Sequence, residues 1–222
     1  MERGQNKMQA ATKDHLLKFI FDDAVRGDPA SVARAIDGYA QSASGMIHLG
    51  RDKGILFDQV VAQSGAHRIL ELGTNFGYSV LRLAKVLGSQ AEIHSVEVDR
   101  SLADTAEAII SYAGLSGQIT VHRGASQNVL DCFTTPFDLI FIDHFPQNYL
   151  PDLLKIEERG LLQEGGTLIS DNVVLFGADL EPYLHHLRQS GRYHSSLHQP
   201  RPGADGFEVS IRCGERSTDT PI

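Results

Sequence analysis

The chain has 222 residues, a hydrophobic content of 41% and a formal net charge of -8 at neutral pH. That length fits one α/β domain with a sizeable core, and the acidic balance speaks against holding a nucleic acid backbone, which asks for a basic face. The first residues are polar and lack an apolar stretch of signal-peptide or membrane-spanning length, while Cys132 and Cys213 stand alone without metal-like spacing. The expectation is a cytoplasmic protein with no membrane association, no nucleic acid partner and a small-molecule substrate, its oligomeric state left open.

Residues 1–14 read as a disordered N-terminal tail and 214–222 as a flexible C-terminal tail, leaving 15–213 as a single domain. His15 to Val25 has the pattern of a helix; Gly27-Asp28-Pro29 then supplies a break, a capping aspartate and a proline suited to a first helical turn. A second helix runs to about Ala40, and Gly50-Arg51-Asp52-Lys53-Gly54 opens a third, Ile55 to Gln63. Beyond it strands are expected at 67–72, 92–97, 118–123, 137–142 and 166–170, with helices near 77–87, 100–113, 126–132, 148–158 and 178–189. This alternation predicts a Rossmann-like α/β fold, a doubly wound and mainly parallel sheet behind N-terminal helices. Tyr193 to Gln199 and Phe207 to Arg212 can close it as an antiparallel C-terminal hairpin across Pro200-Arg201-Pro202-Gly203.

The stretch from Arg68 to Ser79 carries the first chemical signal. Ile69, Leu70 and Leu72 form a short apolar run of the kind buried on both faces of a parallel sheet, and Gly73 ends it. Tyr78, Leu81, Leu83 and Leu87 then recur at roughly helical spacing, so the turn from Gly73 to Gly77 presents backbone N-H groups at a helix start. Such a turn suits a nucleoside cofactor, and one β-α unit later Glu97 can accept both hydroxyls of a ribose. A dinucleotide site would show G-x-G-x-x-G, but Asn75 replaces the glycine that lets the backbone touch a pyrophosphate. The pattern is E-x-G-x-x-x-G, on Glu71, Gly73 and Gly77, and it resembles motif I of class I S-adenosylmethionine (AdoMet) methyltransferases. A carboxylate before the turn would repel a pyrophosphate but suits the cationic end of AdoMet. The plain alternative is a buried strand followed by an ordinary tight turn.

Two further strands end in acidic clusters. The run Phe137 to Ile142 leads into Asp143-His144, and Thr167 to Ser170 leads into Asp171-Asn172, at the strand ends where open α/β sheets gather ligands. Two carboxylates and an amide oxygen are hard ligands that suit Mg²⁺. The alternative is that both aspartates cap the helices that follow.

In order, E-L-G-T-N-F-G-Y-S, S-V-E-V-D, G-A-S-Q, I-D-H, N-Y-L-P-D and S-D-N-V resemble the catechol O-methyltransferase family, over about residues 15 to 213. The resemblance implies that Leu49, Glu71 and Ser79, with Gly73 and Tyr78, hold the methionine end of AdoMet. It implies that Glu97 takes the ribose, that Gly124, Ala125, Ser126 and Gln127 line the adenine, and that Asp143 lies near the donor. It also implies that Asp143, Asp171 and Asn172 bind Mg²⁺, and that Phe145, Asn172 and Gln199 face the substrate. Phe145 replaces the family's tryptophan.

Two departures stand out. The family reads D-H-W-K, with the lysine as general base, whereas this chain reads Asp143-His144-Phe145-Pro146; the family's substrate-gripping glutamate corresponds to Gln199. Activation of the acceptor then falls to the metal, or to a histidine base, His144 or His198. The function implied is an AdoMet- and Mg²⁺-dependent O-methyltransferase of a catechol-like or other chelating hydroxyl substrate. The alternative is a catalytically silent relative that keeps both pockets for a structural or partner-binding role.

Overall fold

The computed structural model describes residues 2–42 and 49–214. Among them, seven strands form one sheet: β1 (Arg68–Leu72), β2 (Glu92–Glu97), β3 (Ile119–Arg123), β4 (Phe137–Ile142), β5 (Leu162–Ser170), β6 (Tyr193–His198) and β7 (Phe207–Arg212). Their order is β3-β2-β1-β4-β5-β7-β6, with the first five parallel and β7 antiparallel between β5 and β6. The chain builds outward from β1 to β3 on one side, then restarts at β4 on the other. The switch point therefore lies between β1 and β4, whose last residues Leu72 and Ile142 are paired, and a crevice opens beyond them.

The helices are α1 (Glu2–Asp23), α2 (Pro29–Ser42), α3 (Arg51–Ser64), α4 (Tyr78–Leu87), α5 (Arg100–Tyr112), α6 (Ser126–Val129), α7 (Tyr149–Glu158) and α8 (Glu181–Gln189). Successive strand residues feed opposite cores, as the two-residue period demands. Ile69, Leu139 and Phe141 pack with α1 to α5, whereas Leu70, Leu72, Ile140 and Ile142 pack with α6 to α8. Each such side chain is fully buried and contributes about 1.5–3 kcal/mol by leaving water.

The N-terminal helices are fastened over the β1–α4 turn by a polar chain. Tyr78 donates its hydroxyl hydrogen to Asp37 at 2.8 Å and accepts from Arg82 Nη1 at 2.8 Å. Arg82 forks onto Asp58 with two bonds of 2.9 Å. Gly54 makes room for it, since a Cβ there would lie 2.6 Å from the guanidinium carbon.

Local chemistry follows the expected punctuation at the start of α2, where Asp28 Oδ1 accepts from Ala30 and Ser31 N-H at 2.9 and 3.1 Å. Two elements are longer than their apolar patterns indicate. Helix α1 starts at Glu2, through the stretch read as a tail, because Lys7, Met8, Ala10 and Ala11 favour helix without any apolar stripe. Strand β5 starts at Leu162 rather than 166 because Gln163 to Gly166 lack an apolar signal, and the β4–β5 pairing shifts register there. The C-terminal tail from 215 onward lies outside the described residues. No described helix is long and apolar enough to cross a membrane.

Candidate active site

A cavity of about 460 Å³ opens at the carboxyl ends of the central strands. Its walls are the turn after β1 (Gly73, Thr74, Asn75, Phe76), Glu97 at the end of β2, Gly124 and Ser126 after β3, Asp143 to Pro146 after β4, and Asp171 and Asn172 after β5. Leu49, Tyr78 and Ser79 close it from the side of the N-terminal helices. This is a usual size for a small-molecule site.

On the β1 side the backbone is shaped for a ligand. Gly73 has φ of +110°, and a Cβ there would lie 2.2 Å from the carbonyl oxygen of Asp143, so no side chain can enter where β1 and β4 meet. Asn75 is also left-handed, with φ of +49°, and its N-H donates to Glu97 Oε2 at 2.8 Å. Glu97 Oε1 accepts from Asp99 N-H at 2.9 Å, which fixes the carboxylate at the rim. Helix α4 starts behind Gly77 with no side-chain cap, leaving its first N-H groups to whatever fills the turn.

Glu71 lies behind this wall, not on it. It is fully buried and accepts the hydroxyl hydrogens of Ser79 and Ser95, and Thr74 Oγ1 meets Ser95 Oγ at 2.5 Å. Burial pushes its carboxyl up to about 7, against the two hydroxyls, which lower it, and with help from the charge of Glu97. Ser79 therefore carries the influence of Glu71 into the cavity.

The opposite side is acidic. Asp143 and Asp171 are both raised above the ordinary carboxylate range, chiefly by burial; Asp171 adds to the shift of Asp143, and Lys53 opposes both shifts. Lys53 Nζ lies 2.7 Å from Asp171 Oδ1, so an ammonium already engages this buried carboxylate. Asn172 has φ of +57° and donates Nδ2 to Asp205 Oδ2 at 2.9 Å, which reserves its amide oxygen as an acceptor. Two carboxylates facing one cavity, with one amide oxygen left to accept, fit a hard divalent cation. Among the described residues no group of three or more His, Cys, Asp and Glu side chains is placed to hold a metal; this set has two carboxylates and depends on an amide. Neither aspartate serves as a helix cap: the 3₁₀ turn after β4 starts at Pro146 with no side-chain cap, and so does α8 at Glu181.

The remaining predicted residues divide. His144 lines the cavity, but its Nε2 meets Asp152 Oδ2 at 2.5 Å, and its buried Nδ1 has no partner. Gln127 points the other way, donating Nε2 to Asp152 Oδ1. Phe145 is two-thirds exposed (66%) at the cavity mouth. Gln127, Ala125, His198 and Gln199 are not among the lining residues. The His198 ring stacks on Phe207 with centroids 5.8 Å apart, and Gln199 donates to the Ala204 carbonyl at 2.5 Å, bracing its own loop.

Sequence reasoning passed over Ser95, Asp152, Lys53 and Asp205. Ser95 carries a signal, a polar residue on a buried strand. Asp152 sits within N-Y-L-P-D, yet its burial against His144 depends on the fold. Lys53 and Asp205 are distant in sequence and meet only when the hairpin loop reaches α3.

The O-methyltransferase family profile matches residues 31–193. The catechol O-methyltransferase of Bos taurus is 34% identical over 216 residues, 93% of this chain and 79% of that protein. The Bacillus cereus O-methyltransferase, solved in complex with SAH, superposes with a TM-score of 0.69 at 24% identity, covering 83% of this chain and 90% of that one. TomG of Streptomyces achromogenes, an O-methyltransferase solved with SAM, also gives 0.69 at 24% identity, covering 86% and 92%. A crevice at the sheet's switch point, a glycine turn facing the Glu97 carboxylate and the extent of these matches agree: the chain belongs to the O-methyltransferase family, in the class I, catechol O-methyltransferase-like branch.

Proposed function

We propose that the protein is a cytosolic AdoMet- and Mg²⁺-dependent O-methyltransferase of small acceptors with two adjacent oxygens, catechols or related chelators. The observation that carries this reading is the meeting, in one cavity, of the Gly73 to Glu97 wall and the Asp143, Asp171 and Asn172 set. The catechol O-methyltransferase relatives support the acceptor class.

AdoMet, when bound, supplies an electrophilic methyl, and a divalent cation supplies positive charge for an acceptor oxygen. The chain's own part is placement. Glu97, held by two backbone N-H groups, takes the ribose hydroxyls; Ser79, backed by Glu71, and the capless start of α4 take the methionine end. Asp143, Asp171 and Asn172 hold the cation, and Phe145 covers the acceptor ring. Alignment alone contributes roughly 7–11 kcal/mol to such a transfer. Pro146 accepts no proton, His198 lies off the cavity wall and His144 is engaged by Asp152 through Nε2, so acceptors with acidic hydroxyls are favoured.

Labelled AdoMet offered with a panel of catechols tests the proposal. Methylated product that EDTA and Asp143→Ala both abolish is the expected result. Binding of AdoMet without turnover across the panel would point instead to the silent alternative that Pro146 motivates.

A further inference from the structure

Lys53, in the first turn of α3, is a buried cation that the cofactor and cation assignments leave unused. Its side chain is 11% exposed, and its Nζ lies 2.7 Å from Asp171 Oδ1 and 2.7 Å from Asp205 Oδ2. Asp205, in the loop between β6 and β7, accepts in turn from Asn172 Nδ2 at 2.9 Å and from Leu175 N-H at 3.0 Å. One ammonium thus ties α3 to the loop after β5 and to the hairpin loop. Asp143, Asp171 and Asp205 all feel its field, while Asp205 and Asp171 each repel Asp143.

We propose that Lys53 is the built-in counter-ion of this acidic cluster, a positioning residue that holds Asp171 directly and Asn172 through Asp205 when no divalent cation is bound. An ammonium satisfies this role because it is a compact charge with several donors, able to serve two carboxylates at once. It neutralises the cluster only in part, since one lysine offsets three acids, Asp171 and Asp205 by contact and Asp143 through its field. The fold is therefore assembled with its acids in place before any cation arrives. Its extension to divalent cations rests on the Mg²⁺ reading above.

Thermal melting of the full chain, in EDTA and in saturating MgCl₂, tests this with Lys53→Met and Lys53→Arg. An unpaired buried charge is strongly destabilising, so in EDTA Lys53→Met should melt about 10 °C below the parent. Lys53→Arg, which keeps the charge, should stay within about 3 °C, and MgCl₂ should return at least half of the methionine variant's loss. Should Lys53→Met match the parent in EDTA, or both variants fall equally, the counter-ion role is overturned. Rescue by arginine without recovery in MgCl₂ keeps the counter-ion and removes the Mg²⁺ reading instead. If Lys53→Met does not fold, Lys53→Met/Asp171→Asn deletes the opposing charge with it. A double variant that folds and shows a melting transition supports the role, and one that stays unfolded like the single overturns it.

Discussion

Glu71 shows how one residue can be legible in identity and misread in position. Its place before Gly73 marks it as acidic company for a cationic ligand, yet the side chain reaches the cavity only through the hydroxyl of Ser79. Burial raises its carboxyl to about 7, above its ordinary value of 4.5, so between those pH values the folded protein holds a proton that the unfolded chain has released. The sign follows: Glu71 lowers stability as pH rises through that window. A nearby ammonium favours the ionised form, so AdoMet binding near pH 6.5 should release a proton. Titration calorimetry in two buffers of different ionisation enthalpy should show it as a difference in observed heat. Glu71→Gln should abolish the difference and weaken AdoMet by about 10- to 100-fold, as expected for a lost hydrogen bond to a charged group. Glu97 and Ser126 were equally legible and do line the cavity. Gln199 follows from the family resemblance and His198 from its place in the same hairpin, and a loop carbonyl or a stacking partner captures such side chains without leaving a trace in the sequence.

Among elements, the turn after β4 carries the chain's departure from the family's D-H-W-K. Pro146 occupies the first position of a 3₁₀ turn, Pro146–Asn148, a place where proline's missing N-H costs nothing and other residues fit the same backbone. Pro146 also lines the cavity. Pro146→Lys should therefore leave the turn intact and raise the rate on simple catechols, by up to about 10²–10⁴ if the new amine reaches the acceptor. Initial rates at fixed AdoMet measure this, and an unchanged rate in a folded variant would mean that the turn aims the side chain elsewhere. Strand and helix identities were readable wherever an apolar period existed, as in β1, β4 and α4. They failed where backbone conformation or helix propensity did the work, at the Gly165-Gly166 bulge of β5 and in the polar first half of α1.

The molecule as a whole gathers three acids of raised pKa at one end of the sheet. Glu71, Asp143 and Asp171 each sit at or just after a strand's end, the first and last buried and Asp143 half-buried. Stability is surrendered there for binding, a common arrangement at functional sites. Asp143→Asn removes one of the crowded charges and should stabilise the metal-free protein by about 1–2 kcal/mol. In EDTA at pH 8 that should appear as a melting temperature roughly 2–8 °C above the parent, while methyl transfer is lost. Equal melting temperatures would mean that Asp143 is already neutral there. The parallel sheet and its closing hairpin could be read from alternating patterns alone. The pairing of α3 with the hairpin loop through Lys53 and Asp205 could not, because it joins segments that no periodicity connects.

Gly73 gives this organisation its inheritance. Because β1 and β4 touch there main chain to main chain, the spacing between the donor's turn and Asp143 is set by peptide units that no side-chain exchange can lengthen. Substitution at Phe145 and Pro146 can reshape the other wall of the cavity, while the spacing across the β1–β4 contact stays unchanged. Novelty is confined to one lip of the cavity, and the other is kept as a fixed gauge.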